Sequence, residues 1–222
     1  MKTFLFACCL FLLSCNPAVE KKNAAARAVI PVPENTRPAT AYSSFLTQTK
    51  KQLNQFKKEN NKDGVQRLVF NSIAHDMPLY WQGTKWDFNG VSRRPGEGAI
   101  ACGYFITTIL DDLGLKLNRI RLAQEPSSVL IKATCTNIKR YGGLDDVKQY
   151  LASASPKAIF IVGLDFHTGF IIKENSKAYF FHSNYIQRSG VIKEDIDHSR
   201  ALNASKSFMI GDLTANQSFL GK

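Results

Sequence analysis

Several things are scarce in this chain, and each scarcity excludes something. No Arg-rich arm and no block of five or more Lys/Arg occurs, so the excess of basic residues does not read as a nucleic-acid footprint. No internal repeat or low-complexity tract is present, which excludes solenoid and fibrous architectures. No apolar run reaches the roughly 20 residues that a membrane-spanning helix needs. There are only four histidines and no His-x-x-x-His pair, which leaves no helical metal-ligand spacing. Gly96-Glu97-Gly98 lacks the Lys-Ser/Thr of a phosphate loop. What remains is ordinary for a globular protein: 222 residues, 44% apolar and 21% charged. A chain of this length buries a core without metal or disulfide staples. The net charge of +11 is spread thinly and suits work near polyanions such as anionic lipid or an acidic polymer.

Residues 1–14 read as a secretory signal: Lys2 is followed by the short apolar run Phe4 to Leu13. The end of this segment, Leu12-Leu13-Ser14-Cys15, resembles a bacterial lipobox. That implies lipid attachment at Cys15, a location in the bacterial cell envelope on the periplasmic or exterior side, and a membrane as partner through the anchor. Acylation contributes about 0.8 kcal/mol per buried methylene. Residues 15–40, with Pro17, Pro31, Pro33 and Pro38 and no hydrophobic periodicity, read as a tether of at most about 80 Å. Residues 41–222 read as one folded domain.

Within that domain a helix is expected from Ser43 or Ser44 to Asn60, a turn at 60–64, and a second helix from Val65 to Ala74. The Trp- and Gly-rich stretch 77–98 reads as an ordered loop. Cys102, Phe105, Ile106, Ile109 and Leu113 share one helical face, and Gly114 stops that helix. Residues 119–155 read as mostly helical or mixed. Ala158 to Leu164, His167 to Lys173 and Lys177 to His182 read as three antiparallel strands, Lys193 to Asn203 as a helix, and Ser207 to Leu213 as a last strand. Helices followed by an antiparallel sheet define an α+β fold.

The chemistry centres on a thiol. Cys102 falls in the first turn of its helix, where the helix dipole lowers a cysteine pKa, and a nearby imidazole would lower it further. His167 begins one strand and His182 ends the next, so both sit at one edge of the sheet. Facing Cys102, they form the layout of a Cys–His–polar triad, with His167 as base and His182 orienting it. Asn184, on the same strand face as His182, is the other candidate for the third position. Trp81, Trp86 and Tyr104 are candidates to line a substrate groove, with core packing as the alternative. In an exported protein Cys102 could also pair with Cys135 as a disulfide. His75 reads as a helix-end residue and His198 as a surface residue. Asp165 reads as shaping a turn. No cofactor and no metal is implied.

The stretches Ala101-Cys102-Gly103-Tyr104-Phe105, His167-Thr168-Gly169-Phe170-Ile171 and Phe181-His182-Ser183 together resemble the NlpC-type cell-wall peptidases and amidases of the papain-like superfamily. The resemblance covers roughly residues 80–185. It departs from the family pattern in having Ala101 where Asp is usual and Gly103 where Ser is usual. The likeness implies a papain-like fold with N-terminal helices packed on an antiparallel sheet. It also implies a cysteine hydrolase cleaving an amide bond in peptidoglycan stem peptides through an acyl-enzyme. A non-catalytic binding or adaptor lipoprotein and a thiol acyltransferase are the other readings.

Overall fold

The computed structural model describes residues 41–222, so the signal segment, Cys15 and the tether lie outside the described residues. The chain runs α1 (Tyr42–Lys58), α2 (Lys62–Asn71), a π-helical turn (Ser72–Asp76), α3 (Met77–Trp81), α4 (Cys102–Asp112), α5 (Arg119–Gln124), α6 (Ser127–Thr134) and β1 (Thr136–Tyr141). It continues with α7 (Leu144–Ser153), β2 (Lys157–Gly163), β3 (Thr168–Glu174), β4 (Lys177–Asn184), β5 (Gly190–Asp195), α8 (Arg200–Ala204), β6 (Phe208–Asp212) and α9 (Gln217–Leu220). The fold is α+β, with an open six-stranded antiparallel sheet in the order β1-β6-β2-β3-β4-β5.

The central strands are near-continuous apolar runs because both faces of the sheet are covered. Ile159, Ile161, Phe170, Ile172 and Phe181 face the core that includes Phe105 and Ile109 of α4. Phe160, Val162, Ile171 and Phe180 face a second core closed by Val147 and Leu151 of α7 and Leu202 of α8. Burying these large side chains drives the assembly, at roughly 1.5–3 kcal/mol for each fully buried aliphatic or Phe side chain.

Three expectations are corrected. The stretch from Met77 is helical before it becomes loop: α2 runs through the π-helical turn into α3, with the Met77 N–H reaching back to the Ser72 carbonyl. The irregularity comes from Pro78, whose ring has no N–H and crowds the carbonyl four residues earlier. Thr136–Tyr141 is a strand where helical or mixed structure was expected. Lys193 to Asn203 is not one helix: Gly190–Asp195 is edge strand β5, and α8 starts only at Arg200. Gly190 makes the entry to β5 possible. It has φ +78°, and a Cβ there would meet the Thr84 carbonyl oxygen at 2.3 Å.

Candidate active site

The start of α4 is set by its lead-in. Ile100 and Ala101 donate their N–H groups to the carbonyls of Lys85 and Gly90, and Ser183 Oγ of β4 donates to the Ile100 carbonyl at 2.7 Å. These bonds hold the helix N-terminus against the sheet. Ala101 is extended and supplies no side-chain cap, so the first-turn N–H groups of α4 are left for another acceptor. The backbone N–H groups of Gly103, Thr168 and Cys102 itself are near enough to the Cys102 sulfur to favour its charged form. Thr168 immediately follows His167, so this contact brings the thiol beside the start of β3. Gly103 has a packing reason, because a Cβ there would lie 2.4 Å from the Ala123 carbonyl oxygen of α5.

His167, immediately before β3, meets His182 of β4. His167 Nε2 lies 2.8 Å from His182 Nδ1. His182 Nε2 lies 3.0 Å from Glu194 Oε1 on β5. His182 is fully buried and stacks on Phe180, with ring centroids 3.9 Å apart. Gly169 makes room for this, since a Cβ there would come within 2.4 Å of Phe180 and 2.7 Å of His182. The glycine of the His-x-Gly sequence is therefore a floor under the two rings. Asn184 is engaged elsewhere, accepting from the Ile186 N–H at 2.9 Å.

Cys102 and His167 line one pocket of about 250 Å³ with Gly103, Leu130, Phe166 and Thr168. A second pocket of about 220 Å³ lies against the same turn and includes His167, Phe166, Tyr185 and Lys206. Phe166, 94% exposed, belongs to both. Asp165 shapes the turn by accepting from the Lys206 N–H at 2.8 Å and from the Ser207 hydroxyl. No hydrogen bond joins Cys102 Sγ to the His167 ring among the described residues. Both groups open on the same small cavity, and such bonds are often long before substrate binds.

The electrostatics correct one expectation. Burial pushes the Cys102 thiol above its ordinary value, and the N–H groups of Gly103, Thr168 and Cys102 offset this only in part. Burial and the neighbouring His182 ring hold His167 well below the ordinary imidazole value. Burial also lowers His182, with Glu194 pulling the other way. The resting site therefore favours a neutral thiol beside a neutral imidazole over a thiolate–imidazolium pair.

The remaining candidates separate. Trp81 is fully buried, its Nε1 donating to Tyr42 Oη at 2.9 Å, and belongs to the core instead of a substrate groove. The Tyr42 hydroxyl in turn donates to Asp112 Oδ2 at 2.7 Å. Trp86 is half-buried against Tyr185, whose ring lies 5.0 Å from that of His167. Tyr104 carries Arg119 over its ring and accepts from Gln124 Nε2 at 3.2 Å. Cys102 and Cys135 are both free thiols, so the disulfide alternative is not formed. His75 contacts Glu174 at 3.2 Å. Among the described residues, no group of three His, Cys, Asp or Glu side chains is arranged to hold a metal ion, and no helix is long and apolar enough to cross a membrane.

Glu194 and Tyr185 are the residues that sequence reasoning missed. Glu194 sits among Lys193, Asp195 and Asp197, a run that looks like a solvated helix face. Glu194 lies two residues beyond Ile192, the register partner of His182, and so shares a strand face with it. No protein-family model, curated protein or solved structure matches the chain.

Proposed function

We propose that the protein is a cysteine hydrolase of papain-like, NlpC-type character that cleaves an amide bond, with peptidoglycan stem peptides as its substrate class. The observation that carries this reading is the hydrogen-bonded chain from His167 through His182 to Glu194, beside the pocket that Cys102 and His167 line. The resemblance of the three sequence stretches supplies the substrate class.

In this reading His167 takes the thiol proton as the sulfur attacks the amide carbonyl. Charge forms only when it is used, which suits a site whose resting groups are neutral. The backbone N–H groups at the start of α4, which face the sulfur at rest, would turn to the oxyanion as it develops. His167 then gives its proton to the leaving amine, and water releases the acyl group. Lipid on Cys15 would hold the enzyme to an envelope membrane beside its substrate.

The test is incubation of the full chain with peptidoglycan fragments, followed by mass spectrometry. The expected result is a stem peptide cut with addition of water, abolished in Cys102→Ala and reduced by on the order of 10²-fold or more in His167→Ala. A non-catalytic adaptor is the second reading, favoured by the missing Sγ–imidazole hydrogen bond. Fragment binding that survives Cys102→Ala, with no cleavage by the wild type, would establish it. An added amine acceptor incorporated into the product would show acyl transfer.

A further inference from the structure

We infer that Glu194 is a positioning residue that fixes the tautomers of both buried imidazoles and thereby presents an unprotonated His167 Nδ1 to the cleft. The inference rests on the hydrolase reading for its purpose, but its geometry stands without it.

The logic follows from what each atom can do. A carboxylate only accepts hydrogen bonds. Glu194 Oε1 lies 3.0 Å from His182 Nε2, so that nitrogen carries the proton. A neutral imidazole has one N–H, so His182 Nδ1 is left as an acceptor. His167 Nε2 lies 2.8 Å from it and must then be the donor. The one proton of a neutral His167 is thereby placed on Nε2, and Nδ1 keeps its lone pair. The opposite arrangement would set a bare His182 Nε2 against a carboxylate oxygen, acceptor facing acceptor. A doubly protonated His182 would break the chain as well, and burial of that ring disfavours it.

The chain also explains the layout. His182 has no exposure and cannot reach water for a partner, whereas Glu194 is 23% exposed and lies on the edge strand. Glu194 thus anchors an otherwise sealed pair from the solvent side. Every buried side-chain nitrogen or oxygen among the described residues has a partner. His167 Nδ1 takes no hydrogen bond from or to another described residue, and His167 lines both pockets beside Phe166. When the thiol attacks, its proton moves to Nδ1, His167 becomes cationic with its Nε2–H unchanged, and His182 stays neutral.

The experiment reads the tautomers directly. Full-chain protein in detergent, labelled with ¹⁵N-histidine, is studied by two- and three-bond proton–nitrogen correlation of the ring nitrogens. Only four histidines contribute, so His167→Gln and His182→Gln assign the signals. The expected result is an Nε2–H tautomer at both rings. Glu194→Leu should lose the ordered His182 Nε2–H signal and slow carboxymethylation of Cys102 by about tenfold to hundredfold. Glu194→Gln, which keeps an acceptor oxygen, should restore the tautomer and part of the rate. An Nδ1–H at either ring in the wild type overturns the inference, as does a Glu194→Leu protein with both signals and the rate intact. A chain with these tautomers that cleaves nothing would fail the hydrolase reading alone. Cleavage by a chain whose His167 carries Nδ1–H would fail the tautomer inference alone.

Discussion

Lys193 Nζ donates to the Ala74 carbonyl at 2.8 Å, and Ala74 lies four residues before Pro78. Pro78 cannot supply the N–H that an α-helix would direct at that carbonyl. A lysine from an edge strand therefore replaces a missing backbone donor and stitches β5 to the helical half. Its Nζ also lies over the face of the Tyr179 ring, 4.6 Å from the centroid. We expect Lys193→Met to cost about 1–3 kcal/mol, the usual range for a buried acceptor left unpaired. In a Pro78→Ala background the cost should shrink, because the helix regains its own donor. Denaturant unfolding of the four proteins of this cycle measures the coupling.

Gly169→Ala tests the floor beneath the rings. The added methyl would meet Phe180 and His182 at contacts no real Cβ tolerates. Overpacking of this kind costs about 1–3 kcal/mol. We expect hydrolysis to fall by more than that loss of stability explains, because the collision displaces His182 itself. Melting temperature and turnover measured on the same preparation separate the two effects.

The two free thiols should differ in how they meet an alkylating reagent. Burial raises both, Cys135 to about 12. Cys102 lines an open pocket, whereas Cys135 is buried. We expect iodoacetamide to modify Cys102 in the native protein at a rate still climbing above the ordinary thiol value of about 8.5. Cys135 should react only on unfolding. A Cys102 rate that reaches a plateau near neutral pH would show a stabilised thiolate and contradict the neutral resting pair.

Stability should fall as the solution is acidified from neutrality. Burial holds His167 and His182 below the ordinary value of 6.5 in the folded chain. As pH drops through 6.5 the unfolded chain binds these protons first, so the folded state loses ground until the depressed folded values are passed. The contribution is thus complete above 6.5 and lost below it. Asp112, raised by burial, acts with the opposite sign: its contribution is complete below its ordinary value of 3.8 and lost as pH rises through the folded value. Urea midpoints between pH 7.5 and 5 measure the net slope, and His167→Gln should flatten it.

The sequence makes the α4 helix and the three central strands legible because their apolar runs answer to burial, the strongest and least directional force in the chain. Adjacency of His167 and His182 follows from two strands and a short turn. The edges are harder to read. Thr136–Tyr141 alternates between half-buried and exposed and pairs with β6 across a register irregularity, so little apolar content marks it. In β5, Lys193 and Glu194 carry charges whose partners come from distant elements, Ala74 and His182. Local composition describes a solvated face there, and only the tertiary contacts make it a strand. The misplacement of Trp81 has the same cause, since an aromatic beside glycines looks available until Tyr42 and Phe105 cover it.

The three members of the proposed relay come from the lead-in to β3 and from β4 and β5 of one meander, whereas the thiol arrives from a helix encoded well before them. As the chain emerges from its N-terminus, Cys102 is exposed first and has no base to meet. The pairing of thiol and imidazole is then something that only the assembled sheet supplies. A half-made copy would carry the thiol without the base proposed for it.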